Sequence, residues 1–166
     1  TSTGEAFEIL DEATRNGRYE ALDPVQYPAL WERLEKGLAD GALGIGMPHQ
    51  YYPGVTYDEI FRVFQFAAKH KVAIFTHVRG MGVAPMQEVI ANAVATGASL
   101  HIVHMNSSSL WDYQTNLELI LGAQQHGADI TTEAYPYTAA STGIRSAIFD
   151  PGWQERLKIS YEDLQW

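Results

Sequence analysis

Four short apolar runs, each followed by a loop and then by a stretch with helical periodicity, constrain this chain more than any other feature of its sequence. They are 43–47 (LGIGM), 72–76 (VAIFT), 99–103 (SLHIV) and 129–132 (DITT), with C-terminal ends roughly 27 to 31 residues apart. The intervening stretches predict helices over 57–70, with Ile60, Val63, Phe64 and Phe66 as the apolar set, near 85–95, and over 110–125. Strands that alternate with helices of this length form parallel βαβ units, because a parallel crossover needs a covering helix. The class is therefore α/β. Two closures satisfy the pattern, a doubly wound open sheet or part of a (β/α)8 barrel, and strand spacing alone does not separate them.

Ahead of the first run, 5–18 reads as a helix ending at Asn16-Gly17. A second helix starts at Asp23-Pro24 and runs to about Leu38, with Leu30, Leu34 and Leu38 on one face. The glycines Gly44 and Gly46 lie inside the first strand, where they indicate close packing of backbone or ligand. No Gly-x-Gly-x-x-Gly follows any strand, which argues against a dinucleotide site.

A chain of 166 residues with 46% hydrophobic content can bury one core, so 1–166 is expected to form a single segment. Its net charge of -9, without a basic run, speaks against a nucleic-acid surface or a polybasic membrane patch. With no cysteine, a metal would need His and carboxylate ligands. No apolar stretch approaches the ~20 residues that span a bilayer, and the first ten residues do not form a signal peptide. The expected setting is cytoplasmic. Because the chain opens on Thr1 at the approach to a helix, it is expected to be part of something longer.

In either closure a ligand sits at the C-terminal ends of the parallel strands. There the sequence places Met47-Pro48-His49-Gln50-Tyr51-Tyr52, Thr76-His77-Val78-Arg79, His104-Met105-Asn106-Ser107 and Glu133-Ala134-Tyr135-Pro136-Tyr137. Neighbouring strands lie about 4.8 Å apart, so His77 and His104, ending consecutive strands, can converge on one metal ion at about 2.0–2.1 Å from each nitrogen. Such an ion would polarise a carbonyl and acidify a bound water; alternatively each histidine simply caps its strand. His70 and His126 sit at helix C-terminal ends, where a cation suits the macrodipole. His101, three residues before His104, is expected on the opposite strand face, pointing away from His104, and His49 allows either a substrate contact or solvation. Tyr51, Tyr52, Tyr135 and Tyr137 suit pocket walls, whereas Trp31, Trp111 and Trp153 are expected to pack. No nucleophile elbow, P-loop or His-Glu-x-x-His is present.

Taken together and in order, ALGIGMPHQYYPG, FTHVRG, LHIVHMNSSS and ITTEAYPYTAAST resemble the N-acyl-D-amino-acid deacylases, or D-aminoacylases, of the amidohydrolase superfamily, over about residues 41–145. The resemblance implies a (β/α)8 barrel represented by its middle strands, with Zn2+ (one or two ions) held in part by His77 and His104. It implies Tyr52, Tyr135 and Ser141 as pocket residues and hydrolysis of the amide of an N-acyl-D-amino acid, the small-molecule partner. Two positions depart from the family pattern. Asn106 stands where the family carries a lysine for the substrate carboxylate, with Arg79 as a replacement charge or a structural residue, and Glu133 stands for an aspartate. The family's first-strand His-x-His, its cysteine ligand and its general-base aspartate have no counterpart here. They are expected before Thr1 and after Trp166, with the aspartate beyond Trp166, so no catalytic base is assigned within the segment. The rest of the barrel or a second copy is the implied protein partner, and the segment alone is expected to be inactive. Asn106 leaves a cyclic amidase of dihydroorotase or hydantoinase type as an alternative, and a binding module without metal as another.

Overall fold

A computed structural model describes residues 18–165. The helix expected over 5–18 lies almost wholly outside the described residues. Trp166 lies outside them too, and so does the general-base aspartate expected beyond it. A single 3-10 turn, Pro24–Gln26, begins at Asp23, whose side chain accepts from the Val25 backbone N–H. It leads into helix α1, Tyr27–Ala39, which buries Leu30 and Leu34. Strand β1 is Gly44–Pro48, followed by α2, Tyr57–His70, and β2, Ala73–His77. Then come α3, Val83–Thr96, and β3, Leu100–Ile102. A short helix α4, Met105–Ser109, precedes α5, Tyr113–Gln125, and β4, Ile130–Thr132. After a long exposed loop come a short helix α6, Trp153–Leu157, and a 3-10 turn, Tyr161–Asp163.

Helix α2 shows why these boundaries fall where they do. Thr56 sits in extended backbone, and its hydroxyl accepts from the Glu59 N–H, satisfying one of the helix's orphan donors. Asp58 and Glu59 occupy the positive end and Lys69 and His70 the negative end, matching the macrodipole. Lys71 then turns left-handed (φ 55°) and stops the helix.

The four strands pair in the order β1-β2-β3-β4, all parallel, with Pro48 opposite His77 and Thr76 opposite Ile102. A doubly wound sheet reverses direction at a switch point, whereas this one advances steadily, so its right-handed crossovers place every covering helix on one side. That is the arrangement of four consecutive strands of a (β/α)8 barrel. The side-chain alternation agrees. Ile45, Met47, Ile74, Leu100 and Ile102 are buried in one cluster with Ile60, Val63, Phe64, Met86 and Val89 from the helices. The opposite face carries Phe75, which is 40% exposed, and His101, whose rings lie 5.4 Å apart.

Gly44 has a definite role on that open face. A Cβ there would stand 2.4 Å from the Ala73 carbonyl oxygen and 2.7 Å from the Phe75 ring, so glycine is what lets β2 and its aromatic lie against β1. Trp31 stacks on Phe66 and Trp153 is buried, as expected of both, but Trp111 is 82% exposed and does not pack. Among the described residues no helix is long and apolar enough to cross a membrane.

Candidate metal centre

His77 is the last residue of β2, and its ring centroid lies 4.4 Å from that of His104, edge to face. The β3 hydrogen bonding ends just before His104: the Val103 N–H still donates to the Thr76 carbonyl, but His104 adopts a left-handed backbone (φ 34°) and opens α4. This local turn corrects the alternation argument for His101. Phe75 and His77 share one face of β2, and Phe75 meets His101, so His101 lies on the same open face as the histidine pair.

Both rings are held through Nδ1. The His77 Nδ1 lies 3.2 Å from the Val78 carbonyl, which can only accept, so Nδ1 carries the proton and donates. For His104, the Ser107 hydroxyl donates to the His104 carbonyl (3.1 Å), leaving its oxygen to accept from the His104 Nδ1–H at 3.0 Å. Ser108 Oγ adds a second contact at 3.3 Å. In both residues Nε2 therefore carries the lone pair and makes no hydrogen bond with the described residues, the tautomer a metal ligand needs. Burial pushes the His77 imidazole down to about 4; the bond to Val78 opposes the shift and the neighbouring His104 adds to it. His77 is thus neutral near pH 7.

The serine turn is itself braced. The Gly82 N–H donates to the Ser108 carbonyl, and the fully buried Asn116 amide donates to the Gly82 carbonyl and to Ser109 Oγ. On the open side, His101 Nδ1 is 2.8 Å from Thr131 Oγ1 and its Nε2 is 3.5 Å from Glu133, whose carboxylate also accepts, at 3.4 Å, from the His104 backbone N–H. Glu133 therefore ties the end of β3 to the end of β4.

The other expected site residues divide. Tyr135 stands 6.4 Å from His104, ring to ring, and its carbonyl accepts from the Asn106 amide at 3.2 Å, leaving Asn106 Oδ1 buried without a partner. Tyr51, rather than Tyr52, packs edge-on against His77 at 4.9 Å, while Tyr52 belongs to the core cluster. Ser141 lies on the exposed loop after β4, where Thr142 reaches Tyr51 Oη at 3.4 Å. Arg79 is occupied: it bonds both Glu88 carboxylate oxygens at 3.1 Å and the Val55 carbonyl at 2.7 Å, and lies over the Tyr57 ring. His49 is 1% exposed with neither ring nitrogen partnered, and burial, aided by Arg79 and His77, pushes its imidazole down to about 3. His70 stacks on Phe66 beside Glu35, and His126 meets the Gly122 carbonyl, as helix-end residues do.

Two imidazoles, each held at Nδ1 and with Nε2 free of hydrogen bonds to the described residues, fit a divalent ion as a partial ligand set. Among the described residues no third His, Asp or Glu joins them to form a metal-holding group.

No protein-family profile and no curated protein matches the chain. Solved structures do. N-acyl-D-glutamate deacylase from Bordetella bronchiseptica, complexed with zinc and a phosphonate inhibitor that mimics the tetrahedral intermediate, superposes with a TM-score of 0.65 at 23% identity over 73% of this chain. D-aminoacylase, described as defining a novel subset of amidohydrolases, gives 0.65 at 24% identity over 79%. A D-aminoacylase mutant in complex with CuCl2 gives 0.66 at 24% identity over 79%. The chain spans only 27% of the first and 29% of the other two. At this identity the likeness establishes the fold alone, four consecutive strands of a (β/α)8 barrel.

Proposed function

We propose that this chain contributes four strands and two metal ligands to a zinc-dependent amidohydrolase that cleaves the amide bond of N-acyl-D-amino acids. One observation carries the reading: His77 and His104 end adjacent strands with their rings 4.4 Å apart, each held at Nδ1 by an oxygen and each with Nε2 unengaged. The superposition with barrels whose structures were determined with zinc or copper supports it.

A divalent ion bound there supplies Lewis acidity for hydrolysis of a C–N bond, polarising the carbonyl and acidifying water. The residues of this chain hold and orient. Ser107 and Val78 fix the two tautomers, and Asn106 Oδ1, buried and unpartnered, offers an acceptor for a substrate N–H. Tyr135 stands beside His104 as a wall. Tyr52 and Ser141 join this site on the sequence resemblance alone. On the sequence resemblance, the remaining ligands, any second ion's site and the general base belong to barrel strands outside these four.

The test is a calorimetric zinc titration of the chain, its His77→Ala and His104→Ala variants, and His126→Ala as a control. Weak saturable binding that His126→Ala retains and the other two lose supports the reading. Equal affinity in all four proteins rejects it.

A further inference from the structure

Helix α5 buries two side chains, Ile120 and Asn116. The second is unexpected there, because asparagine is a poor helix former and a buried amide loses its water. Its Nδ2 donates to the Gly82 carbonyl at 3.3 Å and to Ser109 Oγ at 2.9 Å, whereas Oδ1 has no hydrogen-bond partner. The orientation of the amide is therefore set by what its donors reach. Those two acceptors lie on different loops. Gly82 closes the loop that leaves His77, and Ser109 ends α4, the turn that His104 opens. The loops also meet directly, the Gly82 N–H donating to the Ser108 carbonyl at 3.0 Å. One buried amide thus joins the continuations of both histidine strands.

What it holds is a turn under strain. His104 (φ 34°) and Leu110 (φ 47°) flank the five residues of α4, and both are non-glycine residues in left-handed backbone. Such conformations persist only where the surrounding contacts over-determine them. At the start of the turn the Met105 N–H donates to the Glu133 carbonyl at 2.8 Å; at its end the hold comes from Asn116 on Ser109. Between these anchors Ser107 Oγ and Ser108 Oγ approach His104 Nδ1 at 3.0 and 3.3 Å, so the position of the turn sets that of the ring.

We infer that Asn116 is a positioning residue for the histidine pair. By clamping Ser109 to Gly82 it keeps the serine turn in place, and with it the His104 ring, bonded at Nδ1 and with Nε2 free beside His77. That the free Nε2 atoms hold a metal rests on the function proposed above; the alignment itself rests on the clamp.

The experiment is nitrogen-15 NMR of the imidazoles in the metal-free full chain, for the parent, Asn116→Leu and Ile120→Ala. Leucine fills much the same space and removes both donors, while Ile120→Ala destabilises the same helix without touching the clamp. In Asn116→Leu the His104 ring is expected to leave the Nδ1–H form for a mixture of tautomers, with His77 still held by Val78. Ile120→Ala should leave both rings as in the parent despite a lower melting temperature. Zinc affinity by calorimetry should fall ~10-fold in Asn116→Leu, the lower end of what losing a partner behind a metal ligand costs, and should not fall in Ile120→Ala. Should Asn116→Leu fail to fold, Ser109→Ala, which removes one arm of the clamp, is read by the same criterion. An unchanged His104 tautomer in Asn116→Leu, or the same change in Ile120→Ala, overturns the inference. The two claims fail separately. A parent that binds no zinc but whose His104 tautomer depends on Asn116 refutes the metal centre alone, and zinc binding and tautomer both untouched by Asn116→Leu refute the clamp alone.

Discussion

Acidification should destabilise this protein through His49, and the size of the effect follows from its burial. The unfolded imidazole titrates near about 6.5, whereas in the folded chain burial, with Arg79 and His77 nearby, lowers it to about 3. Between those values the unfolded chain binds more protons than the folded one, so stability rises with pH across that window and is lost as pH falls. At about pH 5 the unfolded residue is almost fully protonated and the folded one is not, which removes about 2 kcal/mol relative to about pH 7.5. The assay is urea unfolding at both pH values for the parent and for His49→Gln, which does not titrate. Whatever the substitution costs at neutral pH cancels in the difference, and the variant should lose about 2 kcal/mol less on acidification than the parent. Identical pH dependence in the two proteins would refute the reasoning, showing that His49 is solvated rather than sealed.

Other substitutions probe the frame of the site. Gly54→Ala would bring a Cβ within 2.4–2.5 Å of the Tyr19 and Glu20 backbone and should cost about 1–3 kcal/mol by thermal unfolding, whereas Gly122→Ala, with nothing within 4 Å inside α5, should stabilise by about 0.5–1 kcal/mol. Arg79→Lys keeps the charge but cannot hold both Glu88 oxygens and the Val55 carbonyl together; we expect a loss of about 1–2 kcal/mol in chemical denaturation. Ser107→Ala removes the oxygen that fixes the His104 tautomer and should weaken zinc binding ~10-fold by titration, without altering the helical content seen by circular dichroism.

The strands and helices were legible because each carries its own signal. The run at 43–47 alternates glycine with Ile45 and Met47, and the helix predicted over 57–70 has those bounds because Thr56 caps it and the basic turn at Lys69-His70-Lys71 closes it. The convergence of His77 and His104 was legible too, since it follows from two histidines at the ends of neighbouring strands. What sequence could not reveal depends on one residue's backbone or on distant chain. The alternation rule misplaced His101 because His104 turns left-handed instead of extending β3. Whether Tyr51 or Tyr52 meets His77 is decided by the 3-10 turn His49–Tyr51, which no periodicity announces. The burial of His49 was hidden because part of its enclosure comes from the segment around Ala147 and Leu157, about a hundred residues later. Trp111, an apolar residue by type, sits in the 3-10 turn Leu110–Asp112 on the surface.

The claim on which the account turns is that His77 and His104 present Nε2 lone pairs to one ion, and nitrogen-15 NMR of the imidazole rings tests it directly. Without metal, both residues should show the Nδ1–H tautomer held by Val78 and Ser107, and added zinc should shift their Nε2 resonances together while His126 stays unchanged. Nε2–H tautomers in the free chain, or zinc-induced shifts that bypass both Nε2 atoms, would contradict it.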